Sequence, residues 1–434
     1  MMESTSLQLV QDCFQIYSCK KLKLFTMKQK NKRIIQCLKE VIMNRLFLLF
    51  FFPFLIYCKQ VSLFEQNLEK YETKYIKMLK KAEIYNFNSQ NLDLLRQKIL
   101  LKKDLRIKIF GDSHIAADIF SSELRNIIFK PNAIGFVYPI FPNYHRNILT
   151  KIESKHFEVL NSLRNPYINY PMGGVIARAK NTQALITLDL LLENKKFIVR
   201  FVVKTPNELA TFEVIDSNYK KIHLSSKNPE TWYLSKEYEL QFPITIKSLM
   251  RNGMLGGYFI YNKEDNNIID HMGINGARSD LWLKWNQDIF DQELQAIQYD
   301  LVILSYGSND AISEKFEYDT FMHNYKVLIR KIRKYNPNTT ILLIGPPTVV
   351  AKNKSKNYEI TPNFLQVKNA IKELAKSENT LFFDLDEFIE KTGKKQKWIE
   401  EKLSKKDVHL TPLGYRISAN AVYKALLNTL KIKE

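Results

Sequence analysis

The sequence predicts an α/β protein with a parallel sheet covered by helices, interrupted by an inserted β-sandwich-like region and preceded by a helical arm. Two changes of periodicity along the 434 residues support this prediction. Short alternating or β-branched runs fill residues 184–261, whereas strand-like and helix-like runs alternate after Ile268. Alternation of β and α is typical of parallel strands joined by helices, and short alternating runs between turn residues are typical of antiparallel strands.

The arm is predicted by a helical period near the start of the chain. Apolar residues recur every three or four positions from Phe64 to Ala82, with Lys and Glu between them, which is typical of an amphipathic helix. A second, shorter pattern of the same kind covers Leu92–Leu101. We expect residues 61–104 to form a helical arm packed on the main domain.

The parallel sheet is predicted from strand-like runs on both sides of the β-rich region. The apolar run Ile107–Phe110 precedes that region, and the alternating β and α runs follow it. We therefore expect residues 105–130 and 265–434 to form one α/β domain, with residues 131–264 inserted into it. The strand-like runs expected in the insertion are Ala184–Leu192, Phe197–Lys204, Thr211–Ile215, Ile244–Ile246 and Tyr258–Tyr261.

Four helix-like and three strand-like runs alternate in the last third of the chain. Each helix-like run is followed by a strand-like run, except the last, which closes the chain. This order predicts helices that cross over between neighbouring parallel strands. The runs are Leu281–Ile297, Leu301–Ser305, Tyr318–Lys334, Thr340–Ile344, Asn363–Lys376, Thr380–Leu385 and Leu413–Leu430.

The composition narrows the classes of function. A formal net charge of +20 suits nucleic acid, anionic lipid or an anionic polymer as a partner. The charge is spread out, without an Arg-rich tract, a zinc-finger spacing or an RNA-binding signature, so we expect no nucleic-acid partner. All the cysteines precede residue 59, and the histidines lack metal-ligand spacing, so we expect no metal site and no cofactor in the body of the chain.

Residues 43–58 have the pattern of an export signal. Arg45 precedes the apolar run Leu46–Cys58, and this pattern of a positive residue before a short apolar run is typical of a signal and too short for a comfortable membrane span. We expect export from a start near Met43. Within residues 1–60, residues 1–42 are then either an over-extended gene start or a basic cytoplasmic tail. If the signal is not cleaved, it would anchor the protein in the inner membrane.

Chemistry-bearing residues follow the predicted strands. Three glycine-containing segments, Gly111–His114, Gly273–Ala277 and Gly307–Asp310, each come directly after a strand-like run, and Asp407–His409 precedes the last helix-like run. Sites in parallel α/β sheets form beyond the carboxyl ends of the strands. We expect these four segments to meet at one edge of the sheet.

Ser113 has two interpretations from its position alone. It lies where a strand-like run ends and a helix-like run begins, so its side chain could cap the helix. The same position could instead hold a nucleophile at a strand end. The other three segments decide between these interpretations, since acyl transfer requires a base, a carboxylate and oxyanion donors beside the hydroxyl.

The four segments together supply the groups of a serine hydrolase. Ser113 can be the nucleophile, His409 the base that takes its proton, and Asp407 the carboxylate that orients the base. The backbone N–H groups of Ser113 and Gly276 and the side-chain amide of Asn309 can form the oxyanion hole. Glycine suits this role because the backbone must approach the substrate closely.

These motifs resemble those of the SGNH/GDSL hydrolases. The resemblance covers about residues 105–118 and 265–434, and it implies a three-layer, flavodoxin-like α/β fold and a serine-dependent hydrolysis of carboxylic esters. The positions similar to the family's first, second, third and fifth blocks are Gly111-Asp112-Ser113-His114, Gly276, Gly307-x-Asn309-Asp310 and Asp407-x-His409.

The acid is the one departure from the family's pattern. The family usually places it three residues before the histidine, and Lys406 occupies that position here. Asp407 lies only two residues before His409, a spacing that a loop can still accommodate. The alternative carboxylates are Asp112 and Asp310, for which a structural role is the simpler interpretation.

The layout resembles the exported peptidoglycan O-acetylesterases within this superfamily. Those proteins carry a carbohydrate-binding-module-like β domain between the first two blocks, and Ala133–Pro139 and Met172–Val175 are similar to segments of that subgroup. The resemblance implies removal of the acetyl group from O6 of N-acetylmuramic acid in O-acetylated peptidoglycan, in the periplasm or cell envelope, without a metal. The inner membrane is a further expected contact, through residues 43–58.

Two other functions fit the same motifs. An acetyltransferase of this fold would share the catalytic residues and differ in whether water or a sugar hydroxyl accepts the acetyl group. An exported glycan-binding protein could carry the same fold with an idle site. In the inserted region, Tyr138, Tyr144, Trp232 and Tyr233 are either core residues or platforms for sugar rings.

Overall fold

The fold is taken from a computed structural model, which describes residues 62–129, 133–166, 169–352 and 355–433. The predicted export signal at residues 43–58 lies outside the described residues. Within those ranges, none of the helices combines the length and the apolar character needed to cross a bilayer.

The predicted parallel sheet is confirmed and has six strands. The strands, in spatial order, are β1 (Tyr85–Asn86), β20 (Leu381–Phe383), β17 (Thr340–Ile344), β16 (Leu301–Ser305), β2 (Arg106–Gly111) and β15 (Ile268–Gly273), and a separate antiparallel pair is formed by β18 (Val350–Lys352) and β19 (Tyr358–Ile360). The strand that precedes the candidate nucleophile, β2, lies between β16 and β15, and Ile107 pairs with Leu301 on one side and Ile269 on the other. All pairs of the six-stranded sheet are parallel except β1 with β20, which is antiparallel.

Helices cover both faces of this sheet, which makes three layers. Successive residues of a strand point to opposite faces. Ile109 accordingly belongs to one apolar core and Phe110 to the other. The helices are α1 (Leu63–Leu68), α2 (Thr73–Leu79), α3 (Leu92–Leu101), α4 (Ser113–Ala116), α5 (Ile119–Ile128), α6 (Gln287–Ile297), α7 (Ser308–Ile312), α8 (Tyr318–Tyr335), α9 (Phe364–Ser377), α10 (Leu385–Lys391), α11 (Lys394–Glu400) and α12 (Pro412–Thr429).

The continuous helix expected from Phe64 to Ala82 is wrong, because the chain breaks between α1 and α2. Polar contacts explain the break. Asn67 Nδ2 and the Tyr71 hydroxyl both donate to Glu123 Oε1, at 2.6 and 2.7 Å, so the chain turns to bring both side chains onto α5. The arm also adds the two-residue edge strand β1 to the sheet, a segment too short to produce a periodic pattern.

The helix expected over Leu281–Ile297 is likewise interrupted. A 3₁₀ turn spans Leu281–Lys284, and α6 begins only at Gln287. Asn286 separates them: its side chain caps α6 by accepting from Ile289 N–H at 3.0 Å. Its backbone N–H donates to the carbonyl oxygen of Tyr170 at 2.6 Å, which fixes this loop against the inserted region.

The inserted region folds into two antiparallel sheets, as the sequence predicted. A shared apolar core, which includes Ile186 and Leu188 of one sheet and Phe201 and Val203 of the other, lies between them. The first sheet has the order β10 (Lys221–Leu224), β9 (Phe212–Ile215), β13 (Ile244–Ser248), β7 (Leu185–Leu190), β4 (Thr150–Lys155). The second has the order β11 (Trp232–Leu234), β8 (Lys196–Lys204), β14 (Met254–Tyr261), β6 (Val175–Ala179), β5 (Phe157–Asn161), with β12 (Tyr238–Gln241) beside β8 and β3 (Gly135–Val137) beside β14.

A buried polar joint connects the insertion to the parallel sheet. Asp270, on β15, accepts from Lys108 Nζ at 3.4 Å and from the backbone N–H of Phe136. Gly135 adopts a φ of +76°, and a Cβ there would lie 1.8 Å from Asp270 Oδ1. The insertion can therefore begin at this point only with a glycine.

Close packing of Gly273 against α4 yields a test of the fold. A Cβ at this position would lie 2.4 Å from Ala116 N and 2.7 Å from Asp112 O, both backbone atoms that cannot rotate away. We expect Gly273→Ala to lower the free energy of unfolding by about 1–3 kcal/mol in denaturant titrations. Gly345→Ala is the control, since its Cβ would lie 3.3 Å from the Phe382 ring and 3.8 Å from the nearest backbone atom, the Phe383 carbonyl oxygen. Equal losses in the two variants would contradict this account.

Candidate active site

The carboxyl ends of three adjacent strands carry the candidate residues. Ser113 opens α4 directly after β2, Gly276 follows β15 by three positions, and Asn309 lies in α7 after β16. The structure therefore places these three residues at one edge of the sheet, as expected for parallel strands.

A line of hydrogen bonds joins Ser113, His409 and Asp407. Ser113 Oγ lies 3.0 Å from His409 Nε2, and His409 Nδ1 lies 3.1 Å from Asp407 Oδ2. The other carboxylate oxygen of Asp407 accepts the backbone N–H of His409 at 3.0 Å. The two-residue spacing is therefore compatible with contact, because one carboxylate reaches both the ring and the backbone of the same histidine.

The helix cap in front of Ser113 is supplied by its neighbour. Asp112 is the N-cap of α4, and its Oδ1 accepts the backbone N–H of His114 at 3.0 Å. The capping interpretation of Ser113 is therefore wrong, since Asp112 satisfies the helix terminus. The hydroxyl of Ser113 is directed at His409 instead.

The two alternative carboxylates contact other partners. Asp112 Oδ2 accepts from Asn309 Nδ2 at 3.3 Å, and Asp310 Oδ1 accepts from the Ser279 hydroxyl at 2.8 Å. Burial raises the pKa of Asp112 to about 7 and that of Asp310 to about 6. Neither carboxylate contacts the ring of His409, so the geometry favours Asp407 as its partner.

Asp407 is held in its ionised form. Burial by itself would raise the pKa of this carboxyl, but the two hydrogen bonds and the charge of His409 outweigh burial and hold the pKa below its usual range. Lys395 Nζ donates to the backbone carbonyl of Asp407 at 2.5 Å and to Ser404 Oγ at 3.1 Å. Sequence analysis missed Lys395, because it lies on α11 and belongs to no motif.

One candidate oxyanion donor, Asn309, already makes two hydrogen bonds. Asn309 Nδ2 donates to the carbonyl oxygen of Ala277 at 2.9 Å and to Asp112 at 3.3 Å. An amide nitrogen carries two hydrogens, so an oxyanion would have to replace one of these acceptors. Gly276 adopts a φ of +84°, a left-handed conformation that only glycine adopts freely.

His114 links three of the helices around the site. Its Nδ1 lies 3.0 Å from the hydroxyl of Tyr415 on α12, and its Nε2 lies 3.0 Å from Ser308 Oγ on α7. Burial, together with the nearby charge of His409, lowers the pKa of His114 to about 3. This imidazole is therefore neutral at pH 7, with one nitrogen donating and the other accepting. The sequence showed His114 only as part of the first motif.

Three other histidines have partners other than Ser113. His271 Nδ1 pairs with Asp118 at 3.3 Å, and His145 Nδ1 contacts the carbonyl of Asn143 at 2.9 Å. His223 is half-exposed beside Glu213 on the first sheet of the insertion. Across the part of the chain that the structure describes, no three His, Cys, Asp or Glu side chains cluster closely enough to hold a metal ion.

A serine, an imidazole and a carboxylate in hydrogen-bonded sequence, at the carboxyl end of a parallel sheet, define the class of α/β serine hydrolases. The model of the GDSL-like lipase/acylhydrolase family matches residues 254–417 of this chain. That match includes Gly276, Asn309, Asp407 and His409. A second family model, described as the N-terminal part of peptidoglycan O-acetylesterase, matches residues 133–245.

This fold is shared by a solved structure described as "Peptidoglycan O-acetylesterase in action", which superposes with a TM-score of 0.71 at 24% identity, over 81% of this chain and 99% of that one. An acetyl xylan esterase aligns at 25% identity over 37% of this chain and 82% of its own, with a TM-score of 0.30. A family two carbohydrate esterase from Clostridium thermocellum aligns at 10% identity over 65% and 99%, with a TM-score of 0.29. Among curated proteins, no sequence matches this chain.

The neutrality of His114 predicts how stability depends on pH. A histidine whose folded pKa is lowered binds its proton in the unfolded state first, so stability falls as the pH drops below the unfolded pKa, near 6.5, towards about 3. Replacing it with Gln removes this contribution, which is about 1.4 kcal/mol for each pH unit in that window. Between pH 7 and pH 4, the free energy of unfolding of His114→Gln should fall less than that of the wild type. If the two curves of unfolding free energy against pH are parallel, the buried imidazole is not held in its neutral form.

Proposed function

We propose that this protein is a serine esterase that removes O-acetyl groups from N-acetylmuramic acid of peptidoglycan. The observation that carries the proposal is the line of hydrogen bonds from Ser113 through His409 to Asp407, beside Gly276 and Asn309. The match of the insertion to a peptidoglycan O-acetylesterase model and the similarity to a solved structure of that description support the substrate. The net charge of +20 suits an anionic wall polymer.

Acylation begins with proton transfer from Ser113 Oγ to His409 Nε2, which are already within hydrogen-bond distance. The serine oxygen attacks the acetyl carbonyl carbon and forms a tetrahedral intermediate. Asp407 accepts from Nδ1 and stabilises the imidazolium that forms. Its ionised state, favoured by His409 itself, is the state that this role requires.

The oxyanion is stabilised by the N–H groups of Ser113 and Gly276 and by the amide of Asn309. Asn309 exchanges its longer bond, to Asp112 at 3.3 Å, for the oxyanion and keeps the bond to Ala277 at 2.9 Å, which maintains its orientation. A single donor of this kind contributes about 10²–10³ in rate in other hydrolases. Asp112 therefore holds Asn309 in place between turnovers.

Collapse of the tetrahedral intermediate completes acylation, and deacylation then uses the same groups with water in place of the serine. The muramyl alcohol leaves with the proton from His409, and the acetyl group remains on Ser113. Water then loses a proton to His409 and attacks the acetyl-serine carbonyl, which releases acetate and restores the hydroxyl. Transfer of the acetyl group to a sugar hydroxyl instead of water would make the protein an acetyltransferase. The protein acts as an esterase when the sugar hydroxyl is excluded from the acetyl-serine.

A peptidoglycan substrate implies work in the cell envelope. We propose that the segment at residues 43–58 directs export to the periplasm and is either cleaved or kept as an inner-membrane anchor. We also propose that the inserted region, expected at residues 131–264, contributes to glycan binding. Its attachment to the catalytic sheet through Asp270 and Phe136 gives it a fixed position there.

The first test is acetate release from O-acetylated peptidoglycan by the wild type, Ser113→Ala and His409→Ala. We expect release by the wild type and a loss of about 10³-fold or more in each variant, because both residues take part in every step. A sugar acceptor added to a second set of reactions tests transfer through its acetylated product. Release by Ser113→Ala at the wild-type rate would contradict the mechanism.

The second test addresses the acid with a matched pair of neighbours. Asp407→Asn should lower kcat by about 10²–10⁴-fold, because an amide cannot stabilise the imidazolium of His409. Lys406→Ala changes the position that usually carries the acid, where an exposed side chain stands here, and should retain wild-type kcat. Initial rates on an aryl acetate measure both. Full activity of Asp407→Asn would exclude this carboxylate as the acid.

A further inference from the structure

We propose that Tyr144 is a binding residue for a sugar ring of the glycan chain beside the acetylated residue. This inference rests on the proposed function and names a subsite for its substrate. It concerns the segment Pro142–Ile148, which lies between strands β3 and β4 of the insertion and contacts the loops that carry Ser113 and Gly276.

Hydrogen bonds on both sides of Tyr144 fix this segment to the site. The backbone N–H of Arg146 donates to the carbonyl of Ala116, the last residue of the nucleophile helix α4, at 3.2 Å. Asn275, which directly precedes Gly276, donates through its backbone N–H to His145 Nε2 at 3.3 Å and through its side chain to the Asn143 carbonyl at 3.4 Å. Tyr144 is therefore positioned by the same two loops that hold the nucleophile and the oxyanion glycine.

The backbone conformation of Tyr144 is energetically unfavourable. Its side chain is exposed, so packing energy does not compensate for this. Its φ is +66°, a left-handed conformation that is uncommon for aromatic residues, and the residue is 85% exposed. His145 next to it is buried, with its ring edge-on to Tyr138 at 5.9 Å. The backbone is thus held by its neighbours while the aromatic ring faces solvent, and strained residues of this kind are concentrated at ligand sites.

The other aromatic residues that could bind sugars are placed differently. Tyr138 and Trp232 are buried, and Tyr233 is partly buried against the core of the insertion. The Trp232 indole N–H donates to the Asn169 carbonyl at 2.8 Å, which is a structural contact. Of these four aromatic residues, Tyr144 is the one whose ring is free to meet a ligand.

The chemistry of this surface suits a pyranose ring. Sugar rings present a face of C–H groups, and the electron-rich face of an aromatic ring attracts such partly positive hydrogens. Leu163 adds apolar surface beside the same loop, since it is 39% exposed and its Cδ2 would lie 2.9 Å from a Cβ at Gly276. A glycan whose acetyl group enters the oxyanion hole would therefore meet apolar surface on its neighbouring rings.

Tyr219 provides a matched control. It is 86% exposed with a φ of +63°, so it shares both the exposure and the backbone conformation of Tyr144. It lies in the turn between β9 and β10, where its N–H donates to the Asp216 carbonyl at 3.0 Å. The two residues differ in their surroundings, since only Tyr144 belongs to a segment hydrogen-bonded to the catalytic loops.

The experiment compares the wild type with Tyr144→Ala, Tyr144→Phe and Tyr219→Ala, using acetate release from O-acetylated peptidoglycan and hydrolysis of p-nitrophenyl acetate. We expect Tyr144→Ala to raise KM for peptidoglycan about fivefold to tenfold, the effect of one lost aromatic contact. Its kcat/KM for the aryl acetate should stay within about twofold of the wild type, because that substrate has no sugar ring. Tyr144→Phe and Tyr219→Ala should match the wild type on both substrates.

Each other outcome overturns the inference in a recognisable way. Equal losses on both substrates would mean that Tyr144 positions the catalytic loops, and no loss on either would mean that it does not bind substrate. A loss in Tyr144→Phe would overturn binding through the face of the aromatic ring and assign the contact to the hydroxyl group instead. These results leave the proposed function intact, whereas a wild type that cleaves only the aryl acetate overturns both proposals.

Discussion

The close approach of helix α4 to the strands beneath it is the constraint on which the site depends. A Cβ on Gly111 would lie 2.5 Å from Ile115 Cγ1 of α4, and a Cβ on Gly273 would lie 2.4 Å from Ala116 N of the same helix. Glycines at the ends of β2 and β15 therefore let a four-residue helix sit directly on the sheet. This packing places Ser113 within hydrogen-bond distance of His409, which comes from a loop almost 300 residues away in sequence.

A buried polar network lies next to the proposed catalytic residues, and burial shifts the pKa values of its members towards their neutral forms. Burial raises the pKa of Asp112 to about 7 and of Asp310 to about 6, and it lowers the pKa of His114 to about 3. These groups hold loops in place through hydrogen bonds. Asp407 and His409, by contrast, are partly exposed, and their contacts favour the ionised carboxylate. The proposed catalytic pair is therefore partly exposed, whereas Asp112, His114 and Asp310 are buried.

The inserted region makes hydrogen bonds to the elements that surround the candidate site. It leaves the sheet at Gly135, where Asp270 accepts the N–H of Phe136, and it returns along α4 through Arg146. Asp118 reinforces this return, since its carboxylate accepts from the Ile148 N–H at 2.8 Å and pairs with Arg125 and His271. The inserted region is therefore hydrogen-bonded at several points to the segments around Ser113, which positions the surface that it presents beside that residue.

The sequence by itself determined the elements whose signals are local. Periodicity located the strand before Ser113 and the antiparallel sheets. Position after predicted strands indicated that Gly276 and Asn309 lie at one edge of the sheet, because parallel strands end there, and His409 was predicted from its position before the last helix-like run. Tertiary structure decided what depends on distant partners. It separated Asp407 from Asp112 and Asp310, it divided the arm so that Asn67 and Tyr71 reach Glu123, and it brought Lys395 and His114 to the site. These contacts join residues that are not neighbours in sequence. The packing of the whole chain determines which side chains meet, and a local sequence pattern carries no information about it.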